Sequence, residues 1–117
     1  MYTIKAPNGD KLTVELKYWS YADNHNLYIG LVVDKDYEDH EVFKWEPWCD
    51  LTVNIGSLLP NEIALDVNNF PDALEFVKEN NIADLLRYTI SGFVKYPIVR
   101  FTDEFFRENS LHILAQC

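Results

Sequence analysis

The sequence predicts an α+β domain: an antiparallel β-meander with one or two short helices packed on it. Three observations carry that prediction. Residues 11–19 alternate apolar and polar side chains with period two, turn-forming clusters punctuate the first half, and beyond Val67 the apolar spacing turns helical.

Residues 2–6 form a first strand. Pro7-Asn8-Gly9-Asp10 follows, and its Asn-Gly step suits the positive φ of a tight hairpin turn. In residues 11–19, Leu12, Val14 and Leu16 share one face while Lys11, Thr13, Glu15 and Lys17 share the other, the mark of a half-buried antiparallel strand. A turn at residues 22–26 leads into residues 27–33, a more continuous apolar run expected to be a central strand. The stretch 34–50 begins as a loop by composition. Residues 41–45 are its candidate strand, and Pro47 limits pairing just beyond. Residues 51–55 are β-rich and end at Gly56-Ser57, and residues 62–67 give one more short strand with Ile63 and Leu65 on one face.

Phe70, Ala73, Leu74 and Val77 recur at helical spacing. Pro71 suits the first turn, Asp72 and Glu75 favour the positive end of the dipole, and Asn80-Asn81 marks the stop. Residues 82–86 are expected to add a helical turn. Residues 88–90 and 93–101 read as extended, broken by Ser91-Gly92 and by Pro97, and Thr102 or Asp103 caps a last short helix through Phe105 and Phe106. No repeat or linker interrupts the chain, so residues 1–117 are expected to form a single domain.

Composition narrows the class. A hydrophobic share of 48% argues for a packed domain and against intrinsic disorder. Aromatic residues make up 15%, enough to stabilise a small core or to anchor an interface. The longest apolar runs, such as residues 31–33, fall far short of the ~20 residues that span a bilayer. The start, MYTIKAPNGD, lacks a signal-peptide core, and a cytoplasmic location without membrane contact is expected. Two cysteines, Cys49 and Cys117, make no disulfide framework and read as free thiols.

The charge is unevenly placed. The net charge is −9, yet residues 78–117 are neutral, so the whole excess precedes Lys78. It peaks in residues 34–50, where Asp34, Asp36, Glu38, Asp39, Glu41, Glu46 and Asp50 face Lys35 and Lys44 alone, with Tyr37, Phe43, Trp45 and Trp48 interspersed. Such a surface repels nucleic acid and attracts basic partners.

Signatures of catalysis are missing. Ser91 lacks the glycine two residues before it that a nucleophile elbow needs. The four glycines are scattered rather than gathered into a phosphate-cradling loop, and His25, His40 and His112 have no zinc spacing. Residues 34–38 open like a calcium loop, but the required glycine and bidentate glutamate positions hold Asp39 and Trp45. No catalytic residue, metal or cofactor is expected. The acidic window has two readings, a solvated face and a mimic of nucleic acid. Carboxylates two residues apart on an extended chain lie roughly 7 Å apart, near the phosphate spacing along a strand.

Residues 66–71 (Asp-Val-Asn-Asn-Phe-Pro), 73–80 and 91–101 (Ser-Gly-Phe-Val-Lys-Tyr-Pro-Ile-Val-Arg-Phe), with 26–32 and 51–54 upstream, resemble a family of small acidic proteins carried on phages and integrative elements of gut bacteria. The likeness spans residues 27–101. The chain departs from the pattern in its longer, more acidic residues 34–48 and in lacking a glycine-rich turn near residues 85–88. The family has no established catalytic residues. Phe93, Tyr96 and Phe101 of its motif are expected to pack the core, and the acidic stretch becomes the candidate partner surface.

The resemblance implies a setting, mobile elements whose small proteins often counter host defence. With the acidic window, the expected function is a non-enzymatic inhibitor of a host defence system, of anti-CRISPR type, in the bacterial cytoplasm. It would bind a basic nucleic-acid groove and block DNA access without touching nucleic acid itself. Asp34, Asp36, Glu38, Asp39, Glu41 and Glu46 would meet Lys and Arg, with Tyr37, Trp45 and Trp48 as anchors. Two alternatives remain: a homo-oligomeric scaffold protein of the mobile element, dimerising through a strand edge or its aromatics, and an enzyme whose site forms only in three dimensions around His40 or His112.

Overall fold

A computed structural model describes residues 1–109 and 111. Gly9, at φ +92°, turns strand β1 (Tyr2–Lys5) into β2 (Lys11–Ser20), and the Ala6 N–H donates to the Asp10 carbonyl at 2.8 Å. The alternation in β2 is realised: Leu12 and Val14 are buried, whereas Lys11 and Lys17 are exposed. β3 (Leu27–Val33) pairs antiparallel with β2 and on its other side with β4 (Pro47–Asp50), giving a first sheet in the order β1-β2-β3-β4.

Four boundaries differ from expectation. The proposed strand over residues 41–45 is absent; a single bridge joins Tyr37 to Val42, and a 3-10 turn covers Glu38–His40. The strand lies later, at β4, with Pro47 inside it opposite Val32. This is tolerable because β4 is an edge strand that needs no N–H from Pro47 on its outer side. The strand expected at 51–55 shrinks to β5 (Thr52–Val53). Residues 82–86 are not helical, because β7 (Ala83–Ser91) begins there; its pairing with β8 (Val94–Phe101) outweighs local helical preference.

The second sheet runs β5-β6-β8-β7, with β6 (Glu62–Leu65) buried along its whole length. Leu51 joins the two sheets. Its N–H donates to the Ile29 carbonyl of the first sheet, and its own carbonyl accepts from Asp66 N–H at the end of β6. Pro97 sits opposite Tyr88 in the part of β8 that extends past β6, so its missing N–H interrupts no ladder there.

Both helices pack against the core. α1 (Ala73–Glu79) buries Ala73, Phe76 and Val77, and α2 (Asp103–Glu108) is capped by the Thr102 hydroxyl, which accepts from Phe105 N–H at 3.2 Å. One hydrophobic core draws on both sheets and both helices, with Ile29, Leu31, Leu51, Ile63, Leu65, Val77, Ile82 and Val99 fully enclosed. Phe101 belongs to it, but Phe93 does not. Phe93 stands completely exposed at the tip of the β7–β8 hairpin, and Tyr96 is half-buried. His112 and Cys117 lie outside the described residues.

Candidate functional site: an anchored acidic loop

The acidic window folds as an irregular loop pinned to β2. The Tyr37 hydroxyl accepts from Thr13 N–H at 2.8 Å and lies 3.0 Å from the Thr13 hydroxyl, which also donates to the Asp34 carboxylate. Tyr37 and Val42 exchange backbone hydrogen bonds at 2.8 and 3.3 Å, and the Val42 side chain enters the core. Lys44 N–H donates to Asp36 Oδ1 at 2.9 Å and Phe43 N–H to Glu46 Oε1 at 2.8 Å. The return to the sheet is closed by Trp45 N–H on the Val33 carbonyl at 2.8 Å. Glu41 and Trp45 hold left-handed φ values of 53° and 71°, rare for non-glycine residues and maintained here by those surrounding bonds.

This architecture divides the expected partner-binding residues. Asp36 and Glu46 accept from the loop's own N–H groups, and Asp34 accepts from the Thr13 hydroxyl on β2. Tyr37 is an internal anchor, half-buried, with its hydroxyl engaged by Thr13. Trp48 is half-buried, its ring edge-on to His40 at 5.7 Å. Glu38, Asp39 and Glu41 are exposed and, among the described residues, make no side-chain hydrogen bond or ion pair. Trp45 is exposed, with the Lys44 ammonium 5.3 Å from its ring centre, and Phe43 beside it is exposed as well. The 3-10 turn also breaks the extended row that phosphate-like spacing requires, so charge density rather than regular repeat distinguishes this face.

Folding brings to the loop a residue from far away in sequence, Asp10. His40 Nε2 lies 3.0 Å from Asp10 Oδ2, across 30 positions of sequence. Hydrogen bonds from His40 and Asn8 hold the Asp10 carboxyl below its ordinary range. Asp10, Asp36, Glu38, Asp39 and His40 border a shallow depression of about 440 Å³. No local signal announces this meeting, which depends on where the β1–β2 turn falls relative to the loop. The depression holds a His–Asp pair but no serine, threonine or cysteine in its lining, and its one phenol, Tyr37, is engaged with Thr13. A hydroxyl or thiol nucleophile is therefore not supplied by that lining.

Other chemistry is similarly constrained. Burial, reinforced by Asp50 and Asp66, pushes the Cys49 thiol up to about 12, so it stays protonated and unreactive at neutral pH. Among the described residues, no group of three His, Cys, Asp or Glu side chains is arranged to hold a metal ion. The motif residue Asp66 is buried and accepts from Asn69 N–H at 3.3 Å and Asn69 Nδ2 at 2.9 Å, which shapes the turn into α1. No helix among the described residues is long and apolar enough to cross a membrane.

Neither the curated proteins nor the solved structures include a match to this chain. A family profile does match over residues 15–113, from within β2 past the end of α2, and the chain accordingly belongs to the DUF4313 family, a domain of unknown function.

Proposed function

We propose that this domain is a non-enzymatic binding protein whose acidic loop engages a basic, nucleic-acid-handling surface and blocks access to it. The observation that carries the reading is the group Glu38, Asp39 and Glu41. These three carboxylates lack internal partners and are displayed on a turn anchored through Tyr37 and Thr13, beside exposed Phe43 and Trp45. An anchored turn loses little freedom on binding, and like-signed carboxylates steer a basic partner into contact. Competition for a nucleic-acid groove then rests on charge density, not on carboxylates placed at phosphate intervals. The setting rests on the resemblance of residues 27–101 to small acidic proteins of phages and integrative elements. In that setting the target is a host defence effector of CRISPR type, and the action is inhibition.

The test is capture of the tagged protein from cells expressing CRISPR and restriction effectors, followed by elution with increasing salt. The expected result is a nucleic-acid-handling protein released as ionic strength rises. The variant Glu38→Gln, Asp39→Asn, Glu41→Gln should lower the association rate by about tenfold and flatten its salt dependence. Asp36 is left intact in that variant, because its carboxylate accepts from Lys44 N–H. Unchanged association by the triple variant, or an empty capture by a folded bait, would sink the reading.

A further inference from the structure

The four sheet edges of the fold are not alike. β1 has four residues, β4 has four and includes Pro47, and β5 has two, so three edges are short or blunted. β7 runs for nine residues and, among the described elements, pairs with β8 alone. Its inner end is protected by the bulge between Leu85 and Arg87 and by the Arg87 charge, but residues 88–91 contain no charged residue, proline or bulge. Natural sheets use those devices to prevent edge-to-edge pairing, and this stretch lacks them. The adjoining surface combines exposed apolar groups with one cation: Ile90 is 73% exposed, Tyr88 45% with the Lys95 ammonium 4.6 Å from its ring centre, and Phe93 projects freely from the turn. The rings of Tyr88 and Phe93 alone expose roughly 300 Å².

We propose that β7 is a homodimerisation edge that pairs antiparallel with β7 of a second copy about a two-fold axis through Thr89. The occupant follows from charge and from register. The chain carries −9 overall, and a like-charged copy is repelled wherever that excess lies. Residues 78–117 are neutral, and the hairpin carries Asp84 alone against Arg87, Lys95 and Arg100, with Arg87 paired to Glu62. Asp84 lies beyond the stretch that a two-fold at Thr89 pairs, so no carboxylate of this edge opposes another.

The register is self-complementary. Ser91 and Val94 flank the two-residue turn at Gly92-Phe93, so they exchange ladder hydrogen bonds, as Thr89 does with Tyr96 two residues on. By that alternation, Tyr88 and Ile90 turn their backbone N–H and C=O groups to the open edge. A two-fold at Thr89 sets Tyr88 opposite Ile90 of the second copy, and Ile90 opposite its Tyr88. Four backbone hydrogen bonds form between outward-facing groups. Each pair is aromatic against β-branched, and the two Thr89 side chains meet on the other face, both favourable cross-strand combinations. Arg87 falls opposite Ser91, so no like charges are apposed. This inference is independent of the acidic loop.

Sedimentation equilibrium of the full chain from about 1 µM to about 1 mM tests it. The mass should rise from one copy to two. Thr89→Lys places like charges face to face at the two-fold and should weaken the dimer at least about tenfold. Ile90→Pro removes an edge donor without touching the β8 ladder and should weaken it similarly. Thr89→Cys is the conservative check, because facing cysteines in a non-hydrogen-bonded antiparallel pair lie within disulfide reach. Mild oxidation should link that variant into dimers well beyond the wild-type level. A mass of one copy throughout, a dimer insensitive to both Thr89→Lys and Ile90→Pro, or a dimer dispersed by Trp45→Ser would overturn the proposal.

Discussion

The loop of residues 34–46 and the β7–β8 hairpin are anchored to one core, and they hold their shape by opposite means. In the loop, side chains do the work of a ladder: Tyr37 takes Thr13 N–H, Asp36 takes Lys44 N–H, and Glu46 takes Phe43 N–H. In the hairpin, the backbone pairs with itself from Ala83–Phe101 to Ser91–Val94. Charge follows the same division. The loop directs part of its carboxylate set inward and displays the rest, whereas the hairpin carries one carboxylate, Asp84, against Arg87, Lys95 and Arg100 and displays exposed rings. A partner attracted by charge and a partner that extends a sheet would therefore meet different ends of the sequence.

The largest expected effect comes from removing the loop's main anchor. Tyr37→Ala deletes a half-buried ring of the core periphery and leaves the Thr13 N–H without its acceptor. The cost should be about 2–4 kcal/mol in chemical denaturation. Amide exchange should accelerate at Val42 and Lys44 while the hairpin amides keep their protection. Equal loss of protection in both regions would show that they unfold as one unit and would remove the basis for contrasting them.

The hairpin should be sensitive to backbone conformation instead. Gly92 holds φ +62° at the first turn position, and a Cβ added there would meet nothing within 4 Å. Gly92→Ala thus tests conformational strain without a clash, and about 1–2 kcal/mol of destabilisation is expected in a thermal melt. A neutral substitution would mean that the turn relaxes to another type.

The contrast also explains what was legible in the sequence. Backbone-determined elements announced themselves: the Asn8-Gly9 hairpin, the alternation of Leu12, Val14 and Leu16, the α1 face, and the Thr102 cap all have local signals that the structure realises. The loop did not, because Tyr37 meets Thr13 across 24 positions and His40 meets Asp10 across 30. Nothing in the composition of residues 34–46 shows which carboxylates turn inward. The motif reading places Phe93 in the core with Tyr96 and Phe101, yet the two-residue turn throws it outward. The division into two sheets was likewise invisible, since it depends on Leu51 bonding to Ile29 on one side and Asp66 on the other.

A third prediction concerns the ion pair that ties β7 back to β6. Glu62 is buried and accepts from both Arg87 terminal nitrogens at 3.2 Å, and also from Leu59 N–H at 3.1 Å. The Arg87 guanidinium, chiefly by hydrogen bonding, holds the Glu62 carboxyl below its ordinary range. A carboxyl with a lowered folded value stabilises the fold above its unfolded value of about 4.3, and that contribution is lost as pH falls through the folded value. Glu62→Gln should cost about 1 kcal/mol at pH 7, a modest figure because Arg87 is half exposed. The gap between the two proteins should close as the pH is lowered below about 4. A gap independent of pH would assign the effect to packing around Glu62 rather than to its charge.

The smallest effects should separate carboxylates within the loop itself. Asp36→Ala removes the acceptor for Lys44 N–H at an exposed position and should cost about 1 kcal/mol. Glu38→Ala removes a side chain that, among the described residues, has no partner, and should change stability by less than about 0.5 kcal/mol. Relief of repulsion from neighbouring Asp39 and Glu41 makes a slight stabilisation the expected sign. Paired denaturation curves at low and high salt give the discrimination, because screening should shrink the Glu38 effect and leave the Asp36 effect in place. Should both substitutions respond alike to salt, Asp36 would be a displayed charge like Glu38, and the loop would present one undivided acidic face.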